Sequence, residues 1–180
     1  MQSDDLSVKK RIMFIKDEDY NYLTYNILII LDYLKCYSQD KTFTGYMKLA
    51  VLISCLTSDT DTDLFIQAVT LKDCQSNFFI YEDLLKIYTK SKSMQGHVKR
   101  LLFALKTKKV IDVLPDKFNS VGAYIYQSKD MLDILHDNMF KEEYKRIEKM
   151  QKAYPRVRSI KYETFIKKVF IDNGVGKWED

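Results

Sequence analysis

Most of this chain places its apolar residues with a helical period, and one stretch switches to a period of two. Over residues 20–37, Leu23, Ile27, Leu28, Ile30, Leu31 and Leu34 cover most of a helical circumference. The helix predicted there belongs at the centre of a core or beneath another chain. Asp17, Glu18 and Asp19 stand in front of it, and negative charge favours a helix start. After the polar turn Ser38-Gln39-Asp40-Lys41, a second helix is predicted over residues 43–56 from Phe43, Met47, Leu49, Ala50, Leu52, Ile53 and Leu56. Residues 57–63 alternate hydroxyls with carboxylates. They lack the glycine and the closing glutamate of a calcium loop. They read as a solvated loop with a helix N-cap at Asp61 or Thr62, ahead of a short helix over residues 64–71.

Residues 81–127 carry the densest set of local signals. A helix over residues 82–88 meets a polar break at Ser91-Lys92-Ser93, and a second helix runs over residues 94–106 with Val98, Leu101, Leu102 and Leu105 on one buried face. The period-two runs are Val110-Ile111-Asp112-Val113-Leu114 and Val121-Gly122-Ala123-Tyr124-Ile125-Tyr126, separated by a turn-rich spacer over residues 115–120. That pattern predicts a hairpin with a longer loop. Helix, short turn, helix and hairpin is the order of a winged helix-turn-helix, with the second helix as recognition helix and the spacer as wing tip. Beyond it, a helix is predicted over residues 131–153, stopped ahead of Pro155. Met131, Leu132, Ile134, Leu135 and Met139 line its first half, and the i, i+4 pairs Glu142–Arg146 and Glu148–Lys152 lace its second. It reads as a connector or stalk leaving the domain. A last amphipathic helix over residues 161–172 carries Tyr162, Phe165, Ile166, Val169 and Phe170, and Asn173-Gly174 supplies its C-cap. The expected fold is therefore mainly α with a small β-hairpin: a winged helix-turn-helix core flanked by N-terminal and C-terminal helices. Its expected divisions are an arm over residues 1–16, a helical and winged-helix domain over 17–128, and a C-terminal helical extension over 129–180. Arg11 to Ile15 forms a short apolar run within the arm, either a strand or a segment lying on a partner.

Charge singles out the same central stretch. Between residues 86 and 109 the basic residues are Lys86, Lys90, Lys92, Lys99, Arg100, Lys106, Lys108 and Lys109, with no Asp or Glu among them. A formal net charge of +4 conceals this block. Duplex DNA carries a negative charge about every 1.7 Å of axis, so a local basic face attracts it whatever the global charge. The candidate DNA contacts are Lys92, His97, Lys99, Arg100, Lys106, Lys108 and Lys109, with Lys117 in the wing. The plainer reading stands beside this one: lysines on an amphipathic helix often form only its solvated face.

Composition narrows the function classes. At 180 residues with 46% hydrophobic content the chain can bury a real core. Five Gly and two Pro argue against a nucleotide-cradling loop protein or a β-sandwich. Thirteen Tyr suit interfaces as well as cores. Cys36, Cys55 and Cys74 are 19 residues apart each time, which is neither a zinc spacing nor a disulfide framework. Cys36 and Cys55 read as small buried hydrophobes, and the unpaired number fits a reducing cytoplasm. The apolar run 27–31 is too short to span a bilayer. His97 and His136 are the two histidines, and neither has a ligand-like sequence neighbour. Walker, dinucleotide, nucleophile-elbow and zinc signatures are missing from the sequence. The chain reads as a binding subunit that needs no metal or cofactor and is not an enzyme.

The paired segments YNYLTYNILIILDYLKCYS and TFTGYMKLAVLISCL, with Phe43, Tyr46, Lys48 and Leu49 opening the second helix and a winged helix behind, resemble the small middle components of bacterial three-component systems. In those systems an SMC-like or ABC-type ATPase works with an effector protein, and the Lamassu anti-phage systems are the best-known relatives. The likeness spans about the first two thirds of the chain. It implies a non-catalytic accessory subunit bridging ATPase and effector in a DNA-sensing complex. Tyr22, Tyr25, Tyr46, Phe165, Phe170 and Trp178 are the expected partner-covering residues. The other open class is a free winged-helix transcriptional regulator. Base readout on the second helix is thin for that role, with Arg100 and Gln95 as its readers and no Asn.

Overall fold

The computed structural model describes residues 20–70, 78–115, 121–126 and 129–176. The N-terminal arm, Cys74, the wing tip with Lys117, and Trp178 lie outside the described residues. The order is α1 (Tyr20–Tyr33), α2 (Met47–Cys55), α3 (Asp59–Thr70), α4 (Phe78–Thr107), β1 (Ile111–Pro115), β2 (Val121–Ile125), α5 (Lys129–Leu135), α6 (Lys141–Ala153) and α7 (Tyr162–Val169), with 3-10 turns at Gln39–Lys41, Asn138–Phe140 and Ile171–Asn173.

Helix α2 sits at the centre. All residues from Lys48 to Cys55 are buried, because α4 packs along it while α1, α3 and α7 close its other sides. Each Leu or Ile buried there contributes about 1.5–3 kcal/mol. Helix α1 lies beside it with Ile27 to Asp32 all buried. Its apolar circumference is thus covered by the chain's own helices α2, α4, α5 and α6 and by β2.

The break expected at residues 91–93 does not form. Helix α4 runs unbroken for 30 residues. Its buried positions Leu84, Ile87, Tyr88, Ser91, Met94, Val98, Leu101, Leu102 and Leu105 form one stripe at helical spacing. Ser91 belongs to that stripe, buried, and its hydroxyl donates to the Tyr88 carbonyl at 2.8 Å. Ser93 likewise donates to Lys90. Hydroxyls that bond back one turn leave the backbone ladder intact, so serines that read as a break are absorbed by the helix.

The hairpin forms as expected, antiparallel, with Ile111 opposite Ile125 and Pro115 opposite Val121. The segment through Phe43, expected as helix, instead bridges β2. Phe43 and Ala123 exchange two backbone bonds of 2.8 and 3.1 Å. Gly122 permits this approach: a Cβ there would stand 3.2 Å from the Thr42 hydroxyl and 3.4 Å from the Phe43 carbonyl.

Other ends also shift. Helix α3 begins at Asp59 because Ser58 caps it, accepting from the Asp61 backbone N–H at 3.1 Å and donating to the Asp61 carboxylate at 2.7 Å. The long helix expected after the hairpin is split at residues 136–140, where Asp137 turns to accept from the Met139 N–H at 2.8 Å. Its second part, α6, folds back on α3 and α1 rather than leaving the domain, with Ile147 and Met150 fully buried in the common core. Arg146 reaches Asp59 on α3 at 3.1 Å instead of pairing with Glu142, whereas Lys152 does pair with Glu148 at 2.6 Å. The last helix stops at Val169, short of the expected 172, and Gly174 closes the following turn at φ 89°.

Lysines fill the left-handed closing positions of α1 and α4: Lys35 has φ 54° and Lys109 φ 56°. A side chain in that conformation costs about 1–2 kcal/mol, part of which glycine gives back through its freer unfolded chain. Lys35→Gly is therefore expected to raise unfolding free energy by about 0.5–1 kcal/mol in urea titration, and a loss of stability would contradict the strain.

Candidate functional site

Because α4 buries one stripe from Leu84 to Leu105, its outer face is held rigidly outward over about 33 Å. Lys92, Lys99 and Lys106 recur every seven residues on that face, and Arg100 flanks them. All four are exposed, as are Lys108 and Lys109 at the helix end. Lys99 and Arg100 have no acidic partner among the described residues. The N-terminal portion is less available, since Lys86 pairs with Asp83 at 2.7 Å. The Lys92 ammonium lies over the Tyr88 ring at 5.1 Å. His97 is half-buried and meets the edge of Tyr20, with centroids 6.0 Å apart.

Lys106 ties the helix to the hairpin. It donates to the Val113 carbonyl at 2.7 Å and pairs with Asp112 at 3.1 Å. Tyr124 and Tyr126 donate their hydroxyls to the same carboxylate at 3.2 and 3.1 Å. Burial pushes the Asp112 carboxyl up, but the bonds from Lys106, the Val113 N–H, Tyr126 and Tyr124 outweigh it and hold it below the ordinary value. Bonding with Tyr124, then burial and Asp112, push the Tyr126 phenol up to about 12. One residue in this region escaped the sequence reading. Phe103 is 49% exposed, on the same face as Lys99 and Lys106. Its signal was present, since it falls opposite the stripe of Val98, Leu101, Leu102 and Leu105.

A second polar feature lies across the molecule. Asp32, 3% exposed, ends the buried run of α1. Its Oδ1 accepts from the Tyr37 hydroxyl at 2.7 Å, and its Oδ2 accepts from the Tyr144 hydroxyl at 2.6 Å and lies 3.0 Å from His136 Nε2. His136 thus gains a carboxylate neighbour in space; the pairing joins residues 104 apart in sequence, which no local pattern displays. Burial, then the bond to Asp32, push the Tyr144 phenol well above its usual range. These groups, with Lys41 and Arg158, line an open cleft of about 830 Å³. Both oxygens of Asp32 are committed, so the cluster acts as a tie between α1 and the C-terminal helices. Among the described residues no group of three or more His, Cys, Asp or Glu is placed to hold a metal ion.

The expected partner residues divide. Phe165 and Phe170 are fully buried and have no surface to offer. Phe165 packs between Phe65 and Tyr154, each 6.2 Å away, and Phe170 meets Tyr88 at 5.1 Å. They pack inward because α7 closes the core rather than extending from it. Tyr22, Tyr25 and Tyr46 are half-buried at the core edge, Tyr25 against Phe140 at 5.0 Å. Cys36 and Cys55 are buried as expected, and burial pushes the Cys36 thiol up to about 12 and the Cys55 thiol higher still. No helix among the described residues is long and apolar enough to cross a membrane. Compared with known proteins, the chain matches no family model, no curated protein and no solved structure.

Proposed function

We propose that this chain is a non-catalytic accessory subunit that lays the outer face of α4 along nucleic-acid phosphates, within an assembly of an SMC- or ABC-type ATPase and an effector protein of the Lamassu kind. The observation that carries the nucleic-acid part is the exposed row Lys92, Lys99, Arg100 and Lys106 on a helix fixed by its buried side, with Lys99 and Arg100 outside any ion pair among the described residues. The assembly part rests on the resemblance carried by the first two helices. A winged-helix frame is supported by the bridge of Phe43 to β2, the pairing of β2 with β1, and a helix running directly into the hairpin. The helix-turn-helix step expected over residues 82–106 does not form, because α4 is continuous up to the hairpin.

A free sequence-reading regulator is the weaker reading. Gln95, one of two expected base readers on α4, donates instead to the Tyr162 hydroxyl at 2.8 Å. That leaves Arg100 as the one expected reader, and lysine contacts give affinity without sequence choice. The test is duplex binding across a salt series. Wild type should bind without sequence preference, and Lys99→Glu with Arg100→Glu should lose about tenfold or more and flatten the log–log salt slope by about 2. Equal binding by the double variant would remove the nucleic-acid role of α4.

A further inference from the structure

The basic face holds a feature that phosphate binding alone does not use. Phe103 lies one turn from Lys99, Arg100, Lys106 and Thr107, all exposed. It therefore stands at the centre of the cationic stripe, not at its margin. Burying a phenylalanine is strongly favoured, and α4 does bury every apolar residue of its inner stripe, yet this ring is half in solvent. A second exposed ring is tied to the same helix: Tyr126, 45% exposed, donates to Asp112, which in turn holds Lys106. Aromatic faces interleaved with backbone-neutralising cations are what unstacked bases require. Paired bases in a duplex present no free face to such rings.

Building on the basic-face reading, we infer that the C-terminal half of α4 is a platform for single-stranded nucleic acid. Phosphates lie against Lys99, Arg100 and Lys106, and a base stacks on Phe103, with Tyr126 offering a second ring across Lys106. Sequence preference is low, because every base has a face to stack.

The experiment uses the full chain with a dye-labelled oligothymidylate of about 15 nucleotides and a duplex of equal length, each titrated at several salt concentrations. The single strand should bind more tightly than the duplex. Phe103→Ala should weaken single-strand binding by about fivefold or more while leaving duplex binding unchanged. Phe103→Trp, placed in a Trp178→Phe background so that it is the one indole, should keep the affinity and lose fluorescence as bases stack on it. Preferential duplex binding, an Ala variant with unchanged single-strand affinity, or an unquenched indole would overturn the platform while leaving the basic face standing. Binding of neither nucleic acid would overturn both. Melting of each variant by circular dichroism separates lost binding from lost fold.

Discussion

The Lys48→Met variant is expected to unfold about 6–12 °C below the parent chain, a loss of about 3 kcal/mol. Lys48 is fully buried in the central helix. Its ammonium donates to the carbonyls of Val157 at 2.7 Å, Ile160 at 2.6 Å and Arg158 at 3.3 Å, and stands 4.7 Å from the Phe43 ring. It fastens the connection between α6 and α7 to the core. Methionine matches the stem in length and apolar character but brings no donor. The two nearest carbonyls then lose their partner in a dry site, at about 1–3 kcal/mol each, against some relief from no longer burying a charge. Thermal melting and urea titration read the effect directly. A change below about 1 kcal/mol would mean that water or neighbouring amides can replace the ammonium. Lys48→Arg should also destabilise, since a planar fork does not fit three carbonyls converging on one point.

The second large effect is expected at Asp32. Asp32→Ala should cost about 3 kcal/mol, because hydrogen bonds to a charged group are worth about 1.5–3 kcal/mol each and the variant removes the carboxylate to which the Tyr144 and Tyr37 hydroxyls donate. Tyr144→Phe should cost about 1.5–3 kcal/mol for the one bond. Because the two changes remove the same contact, the double variant should fall short of the sum by about 1 kcal/mol or more. His136→Ala should cost less, as that ring is already 58% exposed to water. Strict additivity of Asp32→Ala and Tyr144→Phe would show that the cluster does not hold the C-terminal helices to α1. Both predictions concern the same design: polar side chains from the N-terminal helices pin residues 136–160 to a core that those residues complete.

Much of the architecture follows from periodicity. The apolar run through α1, the buried stripe 98–105 of α4, the alternating residues of β1 and β2 and the glycine after α7 each fix a local conformation from neighbours within a few residues. Where the reading failed, a non-local contact or a hydroxyl decided the outcome. Ser91 and Ser93 suggest a break until their bonds to the preceding turn and the buried position of Ser91 make them part of α4. Phe43 has a helical neighbourhood, but β2 offers it a strand partner through Gly122. Phe165 and Phe170 carry the pattern of an amphipathic helix, which states that one face is covered but not by what.

The candidate site was half legible for the same reason. That residues 86–109 hold eight basic residues and no acidic one is a property of the sequence, and helical spacing places Lys92, Lys99 and Lys106 on one line. Which charges are available depends on tertiary contacts: Lys106 is shared with Asp112 and Val113, Gln95 is turned to Tyr162, and Phe103 is left in solvent. The sequence by itself determined that the chain is mainly helical, where the hairpin strands lie and where charge is concentrated, because these depend on spacing along the chain. The Asp32 cluster, the Lys48 anchor and the folding back of α6 and α7 were decided only by the tertiary structure, because each joins groups about a hundred residues apart whose partners no local rule selects.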